Sequence, residues 1–366
     1  MHLLMPGPAS TVCFRGDRLE ESTRKESMKA LVMQQPGSVT VETVPDPDPR
    51  PGDALLRVRR VGLCGSDLNS YRGRNPLVSY PRIPGHEIAA TIASLSGQQS
   101  HFTVGMDVTL SPYTSCGVCA ACRNGRSNAC QNNQTLGVQR DGALAEWIAV
   151  PVEKLYTAEL SLTELCLVEP LTVGCHAVAR AEVTDSDTVL VFGCGGVGLG
   201  AVAASAFRGA VTIGVDIDDA KLAVAREAGA EHTIHSQRQP TAAIVADLTD
   251  GHGPDVVIEA VGTPDTFRAA VEIVAYTGRV IYIGYAKEPV TYETRLFVQK
   301  ELDIRGARNA LPEDFRQVIT MLEQHRFPVQ SAISTVASIE DAPEILSAWS
   351  TDPSRFTKIM ISLDQA

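Results

Sequence analysis

The chain has 366 residues, of which 32 are basic and 43 are acidic, so its formal net charge is −11 at pH 7. The acidic surplus argues against nucleic acid or an acidic membrane surface as the main partner and favours a small-molecule partner. The length exceeds that of most single-core domains and predicts two domains. No uninterrupted apolar stretch is as long as a membrane span, so we expect no membrane partner.

The cysteine content and the start of the chain indicate a cytoplasmic protein. Nine cysteines, an odd number, do not suit a secreted disulfide framework. Residues 1–27 lack the basic start and apolar core of a secretory signal and are rich in charged side chains. We expect them to form a disordered extension before the first strand at Met28.

The order of predicted elements indicates an α/β protein with two domains. A strand at Met28 and an alternating strand over Ala54–Val61 open a β-rich region that continues to about residue 155. Strands and helices alternate over 188–305, which predicts a doubly wound parallel sheet. We assign residues 161–309 to a linking helix and this sheet. Residues 28–160 and 310–366 are assigned to the β-rich domain, which the tail is expected to rejoin.

A glycine-rich turn predicts the cofactor. The buried strand Val189–Phe192 leads into Gly193-x-Gly195-x-x-Gly198 and then into a helix, the arrangement that a dinucleotide pyrophosphate requires. The next strand ends at Asp216, which is placed to accept hydrogen bonds from the adenosine ribose and would repel a 2′-phosphate. NAD is therefore favoured over NADP. The predicted cofactor-binding residues are Gly193, Gly195, Gly196, Val197, Gly198, Asp216 and Lys221.

Four cysteines with metal-ligand spacing lie in one polar loop. Cys116, Cys119, Cys122 and Cys130 form the pattern C-x2-C-x2-C-x7-C, which predicts a closed structural zinc site. An iron–sulfur cluster is the competing interpretation. Its bacterial cysteine run ends with a three-residue gap and a proline, which this loop lacks.

A second possible metal site is dispersed along the chain. Its members are Cys64, His86, Glu87 and Glu169. Taken alone, Cys64 could be a core cysteine, His86 a turn residue and Glu169 a helix-end acid. Together they offer sulfur, nitrogen and oxygen donors, which suffice for a zinc ion with one position left open.

These motifs occur in the order seen in zinc-dependent medium-chain dehydrogenases, which the chain resembles from about residue 28 to its end. The resemblance implies a GroES-like catalytic domain and a Rossmann domain. Glu169-Pro170-Leu171, in place of a second cysteine ligand, resembles the sorbitol or polyol dehydrogenase branch. Within that branch, residues 67–73 and 80–87 are most similar to sugar-acid 5-dehydrogenases acting on galactonate, gulonate or idonate.

The resemblance also implies a role for each site residue. Cys64 and His86 become zinc ligands, Glu87 an intermittent ligand, and Glu169 a ligand or a water-mediated partner. Asp67 would orient the imidazole of His86, and Ser66 would take the proton of the substrate hydroxyl. Ser66 would pass this proton outward through the nicotinamide ribose. Asn69 stands where the family commonly has a histidine that ends this relay, so either water finishes it or the proton leaves beside Glu87 and Glu169. Substrate contacts are expected from Arg308 and Tyr71, with Arg72, Arg74 and Arg82 as weaker candidates.

The implied activity is oxidation of a secondary alcohol in a polyol, sugar or sugar acid, with NAD and two zinc ions per chain, one catalytic and one structural. An amino-alcohol substrate, such as threonine or an aminocyclitol, is the alternative. A non-catalytic NAD-binding sensor is less favoured, because a sensor has no need for an open zinc site. Many relatives pair the edges of their cofactor domains, so we expect a homo-oligomer, dimer or tetramer, through the apolar strand around Val280–Gly284.

Overall fold

The computed structural model describes residues 27–97 and 101–364. The predicted disordered extension lies outside these residues except for Ser27, which begins the first strand. The first part of the chain contains β1 (Ser27–Gln35), β2 (Ser38–Pro45), β3 (Asp53–Leu63), α1 (Gly65–Tyr71), β4 (Glu87–Leu95), β5 (Asp107–Leu110), α2 (Ala120–Arg123), β6 (Trp147–Pro151) and β7 (Leu155–Tyr156).

The remainder alternates between helices and strands and then returns to the first part. Its elements are α3 (Leu162–Arg180), β8 (Thr188–Phe192), α4 (Gly196–Phe207), β9 (Val211–Asp216), α5 (Asp219–Glu227), β10 (His232–His235), α6 (Thr241–Leu248), β11 (Val256–Glu259), α7 (Pro264–Ile273), β12 (Arg279–Tyr282), α8 (Arg295–Gln299), β13 (Asp303–Gly306), α9 (Pro312–Glu323), α10 (Val329–Ala332), β14 (Thr335–Ser338), α11 (Ala342–Thr351) and β15 (Ile359–Ser362).

The β-rich domain is built on one sheet with strand order β14-β15-β3-β4-β5-β7, and β6 also pairs with β3. The last strand runs antiparallel to β3, with Ile359 opposite Leu63. The chain therefore returns from its C-terminal region to the start of α1. This register places Lys358 beside the residues that precede α1.

The second sheet is parallel and has the order β10-β9-β8-β11-β12-β13. Its strand order reverses between β8 and β11, and ligands bind at such a reversal, outside the carboxyl ends of the strands. The apolar strand expected at the edge was wrongly placed. It corresponds to β12, which lies between β11 and β13. The edge strand next to it is β13, whose mixed composition, Asp-Ile-Arg-Gly, gave no strong strand signal.

Helix α3 connects the two domains. The Ser161 hydroxyl caps its first turn by accepting from the Glu164 N–H, and Glu164 bonds back to Ser161. Within the described residues, α3 is the one helix that is long and apolar enough to cross a membrane. In its most apolar 18-residue stretch, 72% of the residues are buried inside the molecule. It packs closely on α4, because glycines replace side chains at the contact. A Cβ on Gly174 would lie 2.2 Å from the Ala201 nitrogen, and one on Gly200 would lie 2.7 Å from the Leu171 oxygen.

Candidate active site

The four-cysteine loop closes into a compact sulfur cluster. The ligand atoms of Cys116, Cys119, Cys122 and Cys130 all lie within 4.8 Å of one another. The Sγ of Cys130 is 3.6 Å from that of Cys116 and 3.8 Å from that of Cys119. A zinc–sulfur bond of about 2.3 Å in a regular tetrahedron gives sulfur–sulfur distances of about 3.8 Å. The cluster therefore has the dimensions of a tetrahedral zinc site.

Backbone amides prepare this cluster for a cation. N–H groups of Cys122 and Gln131 are the main cause that lowers the pKa of the Cys119 thiol to about 6. Amides of Val118 and Cys119 lower the pKa of Cys116. Thiolates are the form that binds metal, so the backbone favours the ligating state at these two cysteines. Burial, by contrast, raises the pKa of Cys122 to about 11.

The second cluster combines Cys64, His86 and Glu87, whose ligand atoms also lie within 4.8 Å of one another. Cys64 precedes α1 as its N-cap residue, and its N–H donates to Asp67 Oδ2 at 2.9 Å. Glu87 is the first residue of β4, and His86 directly precedes it. The start of one helix and the start of one strand thus bring these side chains together.

Asp67 and Ser66 lie beside His86 without holding it tightly. Asp67 Oδ1 is 3.9 Å from His86 Nδ1, beyond a hydrogen bond, and both atoms are buried without a hydrogen-bond partner among the described residues. The Ser66 hydroxyl is 3.5 Å from His86 Nε2. The expected orienting bond from Asp67 to His86 is therefore not formed in this arrangement, since Asp67 uses its other oxygen on the Cys64 amide.

Glu87 is paired with a lysine that our sequence analysis missed. The Lys358 ammonium donates to Oε1 and Oε2 of Glu87 at 2.7 and 2.8 Å and to the Leu63 carbonyl at 3.3 Å. Lys358 is buried, which by itself lowers its pKa, but Glu87 and Cys64 raise the pKa above the ordinary value. The lysine is therefore charged. Glu87 has to leave this ion pair to act as a metal ligand.

Glu169 reaches the site from α3 and is bound by a tyrosine. The Tyr113 hydroxyl donates to Glu169 Oε1 in a short hydrogen bond, and both residues are buried. Burial is the main cause that raises the pKa of Glu169 to about 7, while His86 and the Tyr113 bond act in the opposite direction. Glu169 does not belong to the cluster of ligand atoms formed by Cys64, His86 and Glu87.

The donor set suits a cation. Burial lowers the pKa of His86, but Asp67, Cys64 and Glu169 together raise it well above the ordinary value. A site that stabilises positive charge on its histidine also stabilises a metal ion that takes the proton's place. One sulfur, one nitrogen and carboxylate oxygens form the kind of ligand set that an open zinc site uses.

The glycine turn forms a cradle at the carboxyl end of β8. Gly193 has a φ of +89°, and a Cβ on Gly198 would lie 1.7 Å from the Gly193 oxygen, so both positions require glycine. At Gly195, by contrast, a Cβ would meet no atom within 4 Å. Gly195 caps α4 and Val197 lies in its first turn. The open space in front of this helix start is suited to a phosphate group.

Asp216 ends β9 next to this turn. Its Oδ2 accepts from the Cys194 N–H at 2.7 Å, and its Oδ1 accepts from the N–H groups of Ile217 and Asp218 at 2.7 and 3.1 Å. These bonds fix the carboxylate beside the cradle. Lys221, in the first turn of α5, is half-buried, and its charge acts on the nearby Cys194 thiol.

A buried carboxylate, also missed by sequence analysis, orders the facing loop. Glu259 Oε1 accepts from the N–H groups of Val261 and Gly262 at 2.9 and 2.8 Å. A Cβ on Gly193 would lie 2.9 Å from the Val261 side chain, so this loop forms the other wall of the cradle.

Arg308 lies beside the four-cysteine loop. Asn128, two residues before Cys130, donates through Nδ2 to the Arg308 carbonyl at 2.7 Å and to His176 Nε2 at 2.9 Å. His176 Nδ1 lies 2.8 Å from Asp314 Oδ2 on α9. The network ties the cysteine loop to α3, α9 and the segment after β13.

The other candidates for substrate contact serve the fold. Tyr71 packs against the core of the β-rich domain. Arg72 donates through Nε to the Ser350 hydroxyl at 3.1 Å, and Arg82 pairs with Asp141 at 2.8 Å. These two guanidinium groups are already engaged. Within the described part of the chain, Arg74 and Arg308 make no such ion pair or side-chain hydrogen bond, so they remain the open candidates.

The comparisons with known proteins agree with this geometry. Residues 50–159 match the alcohol dehydrogenase GroES-like domain, and residues 196–324 match the zinc-binding dehydrogenase domain. L-galactonate-5-dehydrogenase of Escherichia coli is 32% identical over 84% of this chain and 94% of its own length. Sorbitol dehydrogenase of Bacillus subtilis is 35% identical over 78% of this chain and 83% of its own.

Solved structures match over nearly the whole chain. The alcohol dehydrogenase RspB of E. coli, in complex with NADH, superposes with a TM-score of 0.85 at 27% identity, covering 92% of this chain and 100% of that one. A zinc-binding dehydrogenase of Sinorhizobium meliloti, bound to NADP, also gives a TM-score of 0.85 at 27% identity, covering 92% of this chain and 99% of that one.

Proposed function

Because the chain belongs to the zinc-type medium-chain alcohol dehydrogenase family, we propose that it oxidises a secondary alcohol of a polyol, sugar or sugar acid to a ketone, with NAD as cofactor and two zinc ions per chain. Membership of this family identifies the protein as an oxidoreductase that acts on alcohols. The sorbitol and galactonate dehydrogenases among its relatives support the substrate class.

The proposal depends most on the position of Lys358, because this residue lies between the ligand cluster and the start of α4. Lys358 binds Glu87 in the ligand cluster, and a Cβ on Gly196, at the start of α4, would lie 3.4 Å from its ammonium nitrogen. The cluster of Cys64, His86 and Glu87 therefore lies directly beside the predicted cofactor cradle. A hydride can pass only between groups held in contact. A substrate bound at the ligand cluster would lie close to a cofactor bound in the cradle.

The residues of the chain have separate tasks in this reaction. Cys64 and His86 would hold the catalytic zinc, with Glu169 as a ligand or a water-mediated partner and Glu87 as an intermittent ligand. The four-cysteine loop would hold the structural zinc. When bound, zinc supplies a Lewis acid and NAD a hydride acceptor. Ser66, at the edge of the cluster, takes the proton of the substrate hydroxyl. Asn69 does not titrate, so the proton leaves either through water or beside Glu87 and Glu169.

A substrate screen tests the proposal. The protein is incubated with NAD and, in turn, polyols, aldonates, threonine and cyclitols, and NADH absorbance is followed. We expect NADH formation with a polyol or an aldonate. Oxidation of threonine or a cyclitol alone would show that the substrate class is wrong. If zinc-loaded protein forms no NADH with any of these compounds, the enzymatic proposal is refuted.

Metal analysis tests the zinc assignment independently of substrate. We expect about two zinc ions per wild-type chain and about one in Cys64→Ser, because that variant loses one ligand set and keeps the other. A Cys64→Ser variant with the wild-type zinc content would contradict the catalytic site.

Cofactor choice rests on Asp216, since one similar structure holds NADH and another NADP. Replacing Asp216 with Ala should weaken NAD binding by about 10- to 100-fold, the loss of a hydrogen bond to a charged group, and should weaken NADP binding less. Asp219→Ala, which removes an exposed carboxylate from the first residue of α5, is the control. An unchanged ratio of the NAD and NADP dissociation constants would contradict this role.

We also propose a cytoplasmic homo-oligomer. The interface between copies would include apolar side chains of the edge strand β13 and of the helix before it, where Ile304 and Val298 are exposed. Pairing through this edge would cover backbone groups that are otherwise open to other chains.

A further inference from the structure

The contact between Tyr113 and Glu169 joins two parts of the molecule that the proposed function treats separately. Tyr113 lies three residues before Cys116, between β5 and the four-cysteine loop. Its hydroxyl donates to Glu169 Oε1 on α3, and it is 6% exposed. In the described part of the chain it is the one hydrogen-bond donor to this carboxylate.

The backbone on both sides of Tyr113 is fixed by the segment that leaves the cysteine loop. The Leu136 N–H donates to the Pro112 carbonyl at 3.1 Å. On the other side, the Thr114 N–H donates to Asn133 Oδ1 at 3.1 Å, and the Gln134 N–H donates to the Thr114 hydroxyl at 2.7 Å. The backbone position of Tyr113 is therefore fixed by the segment that follows Cys130.

The Tyr113 hydroxyl is directed at one oxygen of the carboxylate. A phenol has a single proton to donate, and here that proton is directed at Oε1. Oε2 is the oxygen left for another partner.

We propose that Tyr113 is a positioning residue for the catalytic metal, because its hydroxyl holds one oxygen of Glu169 and leaves the other as the single oxygen available to an ion at Cys64 and His86. This inference rests on the proposed function. It makes the closed cysteine loop a support for the catalytic carboxylate. Groups that hydrogen-bond to metal ligands typically change metal affinity by about 10- to 100-fold when they are removed.

Replacing Tyr113 with Phe tests this without any substrate. Co²⁺ is used as the probe, its affinity is measured by competition with a chelator, and its visible d–d absorption reports the ligand arrangement. We expect about 10- to 100-fold weaker binding at the site that Cys64→Ser abolishes, and a changed d–d spectrum. Tyr156→Phe, at a half-buried tyrosine whose ring stacks on Phe315, is the matched control and should leave both unchanged.

A second pair of variants distinguishes positioning from packing. If Tyr113 acts through Glu169, the Tyr113→Phe change should alter Co²⁺ affinity less than twofold when Glu169 is already Ala. This comparison also holds if the single variant fails to fold, because the double variant leaves no buried carboxylate without its donor.

The outcomes separate the two claims. Wild-type affinity and spectrum in Tyr113→Phe, or an equal loss in the Glu169→Ala background, would overturn the positioning role alone. Absence of a Cys64-dependent Co²⁺ site in the wild-type protein would overturn the proposed function, and this inference with it.

Discussion

At the scale of single residues, the buried pair of Lys358 and Glu87 should be a main determinant of stability at the site. Replacing Lys358 with Met leaves a buried carboxylate without its counter-charge, which typically costs about 3–5 kcal/mol of unfolding free energy. The raised pKa of Lys358 fixes the pH dependence. Its contribution is complete below the unfolded pKa of about 10.4 and is lost as the pH rises through the folded pKa. Urea unfolding at neutral and alkaline pH measures both effects.

The matched variant is Lys358→Met combined with Glu87→Gln, which removes both charges and should recover most of the lost stability. A loss below about 1 kcal/mol in the single variant would show that the pair is not tightly coupled. Sequence alone did not reveal this pair, because the two residues are 271 positions apart and a lone lysine next to a C-terminal strand has no distinguishing pattern. Tyr113 was missed for the same reason, being 56 positions from Glu169.

At the scale of elements, the close contact of α3 and α4 links the helix that carries Glu169 to the predicted cofactor cradle. Gly174→Ala would place a methyl group 2.2 Å from the Ala201 nitrogen, so the helices must move apart. We expect a loss of about 1–3 kcal/mol in urea unfolding, as for other overpacked contacts, together with weaker NAD binding. Gly306→Ala, where a Cβ would meet no atom within 4 Å, should change neither. Equal effects of the two substitutions would refute a specific role for this contact.

At the scale of the whole molecule, the sequence predicted the positions of the strands better than it predicted which strands lie side by side in the sheet. The strands ending at Phe192 and Asp216 lie where they were expected, because apolar runs closed by glycine or an acid are strong local signals. The same signal could not show that β12 has a neighbour on each side. That depends on β13, which is four residues long and partly polar. Cys64 and His86 were predicted as zinc donors from their chemistry, and the resemblance gave each a role, whereas their separation from Glu169 is a property of the folded chain.

The open edge at β13 leads to a prediction about assembly. Ile304 on this strand is 40% exposed, and Val298 on α8, the helix before it, is 82% exposed. The unpaired backbone groups of an edge strand are a template for pairing with another chain. If a second copy covers this edge, Ile304→Lys should convert the wild-type oligomer to monomers in sedimentation velocity, because the new charges would be buried in the interface. Val336→Lys is the control, since Val336 is 57% exposed on β14, an edge strand of the other sheet, and should leave assembly unchanged. A wild-type monomer, or dissociation by both substitutions, would rule out pairing through β13.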